Sequence, residues 1–240
     1  MKVLDLTLPT PQHNLACEEA LIQWCEEDGY EDEILRFWEP REHFAVLGYS
    51  GKINSELNLI SCQDLCVPVL RRCSGGGTVL QGPGCLNYAL ILRIPDREAL
   101  KGITETNAFI MQRLKNALEP ILGPGIEIQG FSDLALGRQK FSGNAQYRKR
   151  RFLLFHGTFL LRFDISLVEK LLPIPLRQPP YRQNRSHGDF LTNLNLPSDT
   201  IKQTLKRAWH ATEELKDLPL DRIERLVRNR YATEEWNAKF

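Results

Sequence analysis

Helical spacing of apolar residues predicts four helices along this chain. They lie at residues 14–28, 104–122, 200–215 and 220–230. Gly29 follows the first of them, and Gly123 with Pro124 ends the second, since glycine and proline commonly terminate helices. One predicted helix therefore opens the chain, one lies near its middle and two close it.

Short apolar runs between these helices predict β-strands. We expect strands at residues 34–38, 44–48, 65–70, 86–94, 126–128, 140–143 and 153–161. Because residues 39–42 are rich in turn formers, 34–38 and 44–48 are predicted to pair as antiparallel neighbours. The order helix, strands, helix, strands, helix is typical of an α+β domain. Residues 173–197 are rich in proline and polar groups, which predicts an irregular segment over the surface or the site.

Length and composition are those of an ordinary globular protein. The chain has 240 residues, of which 42% are hydrophobic and 25% charged. This is enough for one large domain, 1–240, with a helical tail over about 199–240. A formal net charge of +1 gives no reason to expect nucleic acid or an anionic membrane as a partner. Any electrostatic recognition must be local.

Targeting and redox signals favour the cytoplasm. Asp5 lies where a secretory signal would need an apolar segment, and no run approaches the ~20 apolar residues of a membrane span. The six cysteines are scattered, and Cys62 and Cys66 have no second pair with which to form a metal site. We therefore expect a cytoplasmic protein with reduced thiols.

Three consecutive glycines, Gly75 to Gly77, form the most informative motif. They lie in residues 71–79, Arg-Arg-Cys-Ser-Gly-Gly-Gly-Thr-Val, between two predicted strands. Backbone without side chains lets N–H groups converge on phosphate or carboxylate oxygens, and Arg71 or Arg72 would add forked donors. The alternative is a flexible turn. Because no helix is predicted after the glycines, the motif fits neither of the two familiar phosphate loops, which implies a different nucleotide or acyl-phosphate site.

Several further motifs follow one another in a recognisable order. They are residues 14–19, 46–48, 71–77, 86–88, 132–134, 140–145 and 156–158. With these motifs the chain resembles the lipoate–protein ligase A family, and the resemblance covers nearly the whole sequence. It implies a central mixed, largely antiparallel β-sheet flanked by helices, as in biotin ligase catalytic domains and related to class II aminoacyl-tRNA synthetases.

The resemblance also implies a two-step reaction. Lipoate or octanoate would attack ATP, with Mg²⁺ present, to give an acyl-adenylate and pyrophosphate. A lysine of a lipoyl carrier domain would then attack the mixed anhydride. The expected partner is an acidic carrier, such as the E2 component of a 2-oxoacid dehydrogenase or the glycine cleavage H protein.

Residue roles carry over from the family motifs. Lys140 is expected to act catalytically by stabilising charge between the acyl carbonyl and the phosphate, and Asp133 to place Mg²⁺ or the incoming amine. Without the motifs, Lys140 would be a solvated lysine and Asp133 a turn cap. The residues expected to contact the acyl-adenylate or ATP are Arg71, Arg72, Ser74, Gly75, Gly76, Gly77, Thr78, Val79, Asn87, Ser142, Gly143, Ala145, His156 and Gly157.

For two aromatic side chains in these motifs, the residue type and its surroundings favour a structural role over a role in the site. Tyr88 lies on an apolar strand and should pack in the core. His156 also lies on an apolar strand, where a satisfied structural histidine is commoner than a general base.

A basic cluster, Arg148, Lys149, Arg150 and Arg151, lies between two predicted strands. It could be a solvated hairpin tip. Alternatively, it could bind the acidic carrier and speed its encounter with the enzyme.

Two departures from the family keep rival functions open. Residues 81–85 read Gln-Gly-Pro-Gly-Cys, where many relatives carry a histidine–aspartate pair. The chain also stops shortly after Trp236, about where longer bacterial ligases continue into an accessory domain. Either a separate accessory subunit supplies that function, or the reaction needs no adenylation.

The main alternative is therefore a transferase that takes octanoate or lipoate from an acyl-carrier thioester onto a cysteine. Residues 129–133 hold no cysteine where similar transferases place the nucleophile, and none follows Cys85. Cys73 and Cys85 are expected to be buried and apolar in role. A non-catalytic carrier-binding module is a third possibility, against which Lys140 and the three glycines argue.

Overall fold

Eleven strands make up two β-sheets in the protein, whose computed structural model describes residues 1–95 and 97–240. The strands are β1 (Lys2–Asp5), β2 (Ile34–Trp38), β3 (Phe44–Leu47), β4 (Val69–Arg71), β5 (Val79–Gln81), β6 (Cys85–Arg93), β7 (Ile126–Gln129), β8 (Asp133–Leu136), β9 (Gln139–Arg148), β10 (Phe152–Leu160) and β11 (Glu213–Glu214). Eight of them form the large sheet, in the order β11-β1-β2-β6-β10-β9-β8-β7. β1 is parallel to both neighbours, whereas the other pairs of this sheet are antiparallel. The predicted mixed, largely antiparallel sheet is confirmed.

The other three strands form a small separate sheet in the order β4-β3-β5. The predicted pairing of residues 34–38 with 44–48 is therefore wrong, because β2 pairs with β1 and β6 in the large sheet. All five residues of β2 are buried. Such a strand is held by partners on both sides that are distant in sequence. The composition of the turn that follows the strand carries no information about those partners.

The glycine motif joins β4 to β5, the two strands on either side of β3. It therefore connects strands that are not paired with each other, in a loop that we call the glycine loop (residues 74–78). The next element is a strand and not a helix. This confirms that the motif differs from the phosphate loops that open a helix.

Nine α-helices surround the sheets in the described part of the chain. They are α1 (Pro11–Glu27), α2 (Ile53–Glu56), α3 (Leu59–Asp64), α4 (Ile103–Leu122), α5 (Ile165–Leu171), α6 (His187–Phe190), α7 (Ser198–Ala208), α8 (Leu220–Leu226) and α9 (Glu234–Asn237). The helix predicted at 200–215 ends at Ala208, and a π-helical turn, Val227–Tyr231, continues α8. The helices of four to seven residues were not predicted, apart from α8, because such short segments show little periodicity.

Helices cover both faces of the large sheet. On one face, Leu114 of α4 and Leu205 of α7 share an apolar cluster with Tyr88 of β6. On the other face, Ala20 of α1 shares a second cluster with Ala89 of β6. The α1 face also meets the small sheet and carries the candidate site. Within the described residues, no helix combines the length and apolar character that a membrane crossing requires.

Candidate functional site

Five strands of the large sheet place one residue each in a straight row on the α1 face. The register aligns Asp133 of β8, Gly143 of β9, Thr158 of β10, Asn87 of β6 and Trp38 of β2. Side chains of residues paired in this way point to the same side of a sheet. The row therefore brings Asp133, Gly143 and Asn87, three of the predicted site residues, onto one surface.

A β-bulge turns Lys140 towards this surface. The pairing of β8 with β9 shifts register after Leu134, which leaves Phe141 as an extra residue on β9. In a regular strand Lys140 would face away from Gly143, because residues three apart lie on opposite faces. The extra residue shifts the alternation of side chains by one position. Phe141 therefore packs in the core, and Lys140 lies on the α1 face together with Gly143. Bulges commonly re-aim a side chain in this way.

Lys140 and Asp133 form an ion pair. Lys140 Nζ lies 2.8 Å from Asp133 Oδ1, and the Tyr181 hydroxyl donates to Asp133 Oδ2 at 2.9 Å. A Cβ on Gly143 would lie 2.6 Å from Lys140 Nζ. Gly143 therefore supplies the space in which the ammonium group is seated. The two residues predicted to be catalytic are together, and Tyr181, which was not predicted, completes the group.

Arg72 shapes the glycine loop from beneath. Its Nη2 donates to the carbonyls of Gly75 and Gly77 at 2.6 and 2.9 Å. In a planar trans peptide the N–H points opposite to the C=O, so the amides of Gly76 and Thr78 point away from Arg72. Burial lowers the pKa of Arg72 to about 10, which leaves the guanidinium charged at neutral pH. The loop thus presents amide donors above a buried positive charge, an arrangement that suits an anion.

The glycine loop lies close to two other parts of the site. A Cβ on Gly48 would fall 2.0 Å from the Gly76 carbonyl oxygen, and one on Gly76 would fall 3.7 Å from Ala145 Cβ. Ala145 is two residues from Gly143 on β9, so the two face the same side about 7 Å apart. The amides of the loop and the ammonium group of Lys140 therefore border the same stretch of β9.

A buried chain of polar contacts runs from α1 to the glycine loop. Glu18 Oε2 lies 2.5 Å from His156 Nδ1, and His156 Nε2 lies 2.6 Å from Ser74 Oγ. Arg72 Nε donates to the same Oγ at 3.0 Å. Since a carboxylate oxygen can only accept, His156 Nδ1 carries the hydrogen of its contact with Glu18, and the Ser74 hydroxyl, which accepts from Arg72, completes the chain with His156 Nε2. His156 is thus a satisfied, buried histidine, as its setting predicted.

The charge state of Glu18 follows from its partners. Burial by itself would raise the pKa of the Glu18 carboxyl, but the charge and hydrogen bond of His156, the charge of Arg36 and the Trp38 indole outweigh burial and lower it. Sequence reasoning missed Glu18 as a site residue. Its position three residues after Leu15 and four before Ile22 places it on the apolar face of α1, and that placement was the available signal.

Gln81, in the stretch 81–85 that departs from the expected pattern, closes a ring of three side chains. Gln81 Nε2 donates to Thr158 Oγ1 at 2.7 Å, Thr158 Oγ1 donates to Asn87 Oδ1 at 2.5 Å, and Asn87 Nδ2 donates to Gln81 Oε1 at 3.0 Å. Each amide and hydroxyl in the ring has a partner. Asn87 is therefore in the site row but is already engaged by protein.

Arg71 has a different setting from Arg72. Its guanidinium donates to the carbonyls of Gly48, Tyr49, Gly51, Trp236 and Asn237. The Trp236 indole donates back to the Arg71 carbonyl at 2.9 Å. Arg71 thus joins the loop after β3 to helix α9, and its predicted contact with ATP stays a prediction. In the same region, Thr78 Oγ1 donates to Glu56 at 2.6 Å, and Val79 begins β5.

Ser142 and Gly157 lie on the opposite, core-facing side. Ser142 pairs with Leu134 and Phe159, and its buried Oγ has no hydrogen-bond partner among the described residues. Gly157 makes room for Asn144, because a Cβ there would lie 1.7 Å from Asn144 Oδ1. The structure therefore does not bring these two side-chain positions together with Lys140.

Asn144 was not predicted as a site residue and is an anchor for this edge of the sheet. It accepts from the Tyr88 hydroxyl at 2.6 Å and donates to the Ser132 carbonyl at 2.7 Å. Tyr88 is fully buried, as predicted. The polar Asn144 within the matched stretch at 140–145 was the signal that could have indicated this role.

The basic cluster forms the hairpin between β9 and β10, at the end of β9 away from Lys140. Arg148 donates to the Leu100 and Lys101 carbonyls and to Thr106, and Arg151 pairs with Glu31. Lys149 lies over the Tyr147 ring, and Arg150 is exposed. Arg148 and Arg151 are thus already engaged by protein partners, whereas the charge of Arg150 faces solvent.

All six cysteines are free thiols, and Cys66 is the exposed one. Burial raises the pKa of Cys85 to about 12 and that of Cys73 still further. Neither thiol near the glycine loop is therefore a ready nucleophile, since reactivity belongs to the thiolate. Their predicted burial is confirmed.

The described residues do not form a resident metal centre. No group of three or more His, Cys, Asp or Glu side chains within residues 1–95 and 97–240 is placed to hold a metal ion. Mg²⁺ is usually held by one or two carboxylates together with phosphates and water. Both oxygens of Asp133 already bind protein groups, Lys140 and Tyr181.

Comparison with known proteins gives the site a family. The model of the lipoyl protein ligase A/B catalytic domain matches residues 10–209. The chain belongs to this family. Lipoate–protein ligase 1 of Staphylococcus aureus is 27% identical over 238 residues, which cover 95% of this chain and 70% of that protein. Octanoyltransferase LipM of Brevibacillus brevis is 27% identical over 267 residues, covering 96% and 95% of the two chains. One relative is a ligase and the other a transferase; both are enzymes, and so is this family member.

Solved structures of lipoate ligases share the fold. One is a bi-partite lipoate protein ligase described together with its E2 lipoyl domain from Thermoplasma acidophilum, with a TM-score of 0.81 and 21% identity over 99% of this chain and 96% of that one. Another is a lipoate–protein ligase A bound with ATP, with a TM-score of 0.78 and 23% identity over 99% and 98%.

Proposed function

We propose that the protein attaches lipoate or octanoate to a lysine of a lipoyl carrier domain and uses ATP to activate the acid. The observation that carries the proposal is the Lys140–Asp133 ion pair, which shares one face of β9 with the outward amides of the glycine loop. A fixed cation and free amide donors around one space suit a reaction in which negative charge moves between a phosphate and an acyl oxygen. The ATP-bound neighbour of the same fold supports ATP as co-substrate.

In the first step, a carboxylate oxygen of the fatty acid attacks the α-phosphorus of ATP, and the bond to pyrophosphate breaks. Two anions must approach each other. The amides of Gly76 and Thr78 would hold phosphate oxygens, and the buried charge of Arg72 would favour the anion from below. Lys140 would lie between the acyl oxygen and the phosphate and reduce their repulsion. A magnesium ion carried by ATP would supply further positive charge when bound.

In the second step, the amine nitrogen of the carrier lysine attacks the acyl carbon, the bond to AMP breaks and the amine loses a proton. Asp133 lies beside Lys140 at the rim of the site, with side-chain exposures of 14% and 23%. Its carboxylate would orient the incoming ammonium group before that group loses a proton and attacks. Lys140 would stay near the oxygen that becomes negative as the carbonyl is attacked.

A thioester transferase is the second candidate, because octanoyltransferase LipM covers nearly the full length of both chains. The burial of Cys73 and Cys85 and their raised pKa values oppose it. We therefore favour the ATP-dependent reaction.

Mass spectrometry of the carrier distinguishes the two functions. Pure protein and an E2 lipoyl domain are incubated with lipoate and Mg·ATP, with octanoyl-acyl carrier protein, or with synthetic lipoyl-AMP. We expect acylation with lipoyl-AMP, and with lipoate only when ATP is present. Acylation by lipoyl-AMP without acylation by lipoate and ATP would indicate that the first step needs an accessory subunit; a ligase of the same fold is described as bi-partite. Transfer from octanoyl-acyl carrier protein without ATP, lost in a cysteine variant, would refute the ligase proposal.

A further inference from the structure

The surface around Asp133 is the part of the protein that the carrier must reach, if the function proposed above is correct. A carrier lysine projects from a folded domain, so the carrier has to contact whatever surrounds the entrance. The basic hairpin is poorly placed for this contact. Lys149 is six residues beyond Gly143 along β9 and its hairpin, roughly 20 Å away, and Arg148 and Arg151 are bound to protein partners.

An exposed phenylalanine lies next to the entrance. Phe131 is 89% exposed and precedes Asp133 by two residues in the turn between β7 and β8. The adjacent Gly130 would bring a Cβ to 3.2 Å from Pro179, so this turn packs against the segment that follows α5. We call residues 173–191, which run from there to β9, the strap.

The strap is fastened to the catalytic pair at two points. Tyr181 donates to Asp133, and Leu191, the last residue of the strap, forms a parallel bridge with Lys140. The amide of Thr192, the next residue, donates to the Lys140 carbonyl at 3.0 Å. A domain bound to the strap is therefore held in a fixed position relative to the reacting groups.

Apolar and positive groups occur together on this surface. Leu176 is 89% exposed and Ile174 47% exposed, within five residues of Pro179. Arg138 and Arg177 are also exposed. The strap contains three arginines, Arg177, Arg182 and Arg185, and one acidic residue, Asp189, although the whole protein has a net charge of only +1. The excess of positive charge is thus local to the strap.

We propose that an acidic lipoyl carrier domain docks on this surface, defined as the docking rim: Phe131, Arg138, Ile174, Leu176 and Arg177. Apolar side chains with charged neighbours are the usual anatomy of a protein interface, in which a few large residues provide most of the binding free energy. The arginines complement the negative charge of the carrier and guide its approach. Docking here delivers the carrier lysine beside Asp133.

Steady-state kinetics with synthetic lipoyl-AMP and an E2 lipoyl domain test the docking rim. In Phe131→Ser and Leu176→Ser, we expect the KM for the carrier to rise about tenfold or more, which corresponds to the loss of about 1.4 kcal/mol, while kcat changes by less than about twofold. Arg177→Glu should raise the KM most at low salt. Ile60→Ser removes another exposed apolar side chain (72% exposed) on α3 and should leave the KM unchanged.

A small nucleophile separates docking from chemistry. Hydroxylamine in place of the carrier traps lipoyl-AMP that the enzyme makes from lipoate and ATP as a hydroxamate, and the rate of hydroxamate formation should be equal in the wild type and the rim variants. If the rim variants keep the wild-type KM, or if Lys149→Glu/Arg150→Glu raises the KM and the rim variants do not, the docking rim is wrong. If the wild type acylates neither hydroxylamine nor carrier, the proposed function itself fails, and the docking rim with it.

Discussion

At the scale of single residues, two glycines on neighbouring strands serve opposite sides of the sheet. Gly143 leaves room for the ammonium group of Lys140 on the site face, and Gly157 leaves room for the Asn144 amide on the core face. Each glycine is needed because a polar side chain from another residue occupies the space of its Cβ. Gly143 therefore matters for the proposed catalytic site, and Gly157 matters for the stability of the fold.

Lys140→Ala should abolish most of the activity and leave the fold intact. Removing a preorganised cation from a site where charge develops typically lowers kcat by about 10²–10³-fold. The measurements are the rate of hydroxamate formation from lipoate and ATP and the rate of carrier acylation from lipoyl-AMP. Lys115→Ala removes a lysine from α4 that pairs with Glu119, and it should retain the wild-type rate. Near-normal turnover in Lys140→Ala would remove Lys140 from the mechanism.

Gly143→Ala and Gly157→Ala should fail in different ways. At 143 the new methyl group meets the end of a flexible lysine, which can move, so we expect at least a tenfold loss of kcat with little change in melting temperature. At 157 it meets Asn144, which Tyr88 and Ser132 hold in place, so we expect about 1–3 kcal/mol of destabilisation from overpacking. Thermal unfolding and kcat measured on both variants decide the matter. Equal losses of stability would contradict this division.

At the scale of elements, the site depends on two devices that join strands and helices. The bulge in β9 turns Lys140 to the α1 face. The contacts Glu18–His156–Ser74 then connect α1, β10 and the glycine loop through buried side chains. The position of the loop over the sheet is thus tied to the ionisation of a glutamate on a helix.

The stabilisation from Glu18 should depend on pH. Because the folded protein holds the pKa of Glu18 below its ordinary value of 4.5, the ionised carboxylate stabilises the fold at neutral pH. This contribution is lost as the pH falls from about 4.5 through the lower folded-state pKa. Urea unfolding at pH 7 and at pH 4 or below gives the free energy of unfolding at each pH. Its decrease from the higher to the lower pH should be smaller for Glu18→Gln than for the wild type. Glu42→Gln, at an exposed position, should behave like the wild type.

At the scale of the whole molecule, Arg71 connects the C-terminal helix to the centre of the fold. One buried guanidinium bonds five carbonyl oxygens from residues 48–51 and 236–237. The Lys239 ammonium group adds a contact with the Tyr49 hydroxyl at 3.2 Å. The segment before the glycine loop is therefore positioned by the last residues of the chain.

Arg71→Lys should destabilise the protein despite retaining the charge. A lysine cannot reproduce the forked donors, and buried carbonyls without partners cost about 1–3 kcal/mol each. A loss of about 3 kcal/mol would lower the melting temperature of a chain of this size by roughly 6–12 °C. Hydrogen exchange should increase at residues 48–51 and in α9 together. Arg225→Lys on α8 is the control, and faster exchange in α9 alone would contradict a shared anchor.

The sequence was sufficient for the fold class and for selecting Lys140 and Asp133, which the structure brings together as an ion pair. Lys140 and Asp133 lie in motifs that can be recognised locally, and the long apolar runs predicted most of the large sheet. The partners of these residues could not be predicted in the same way. Glu18 reaches His156 across 138 residues and Tyr181 reaches Asp133 across 48, so neither contact leaves a local pattern. The predicted pairing of β2 with residues 44–48 was wrong for the same reason, since β6, one of its true partners, is distant in sequence.

Arg72 has a consequence for the thermodynamics of ligand binding. Ordering a flexible loop costs about 1–2 kcal/mol per residue in backbone entropy, and glycines are the most flexible residues of all. Here the guanidinium fixes Gly75 and Gly77 during folding, so a nucleotide meets a loop that is already shaped. A loop that is ready for the substrate is equally ready for the product. We therefore expect AMP to be an effective competitive inhibitor against ATP, and the rate of AMP release to limit turnover once the carrier is saturating.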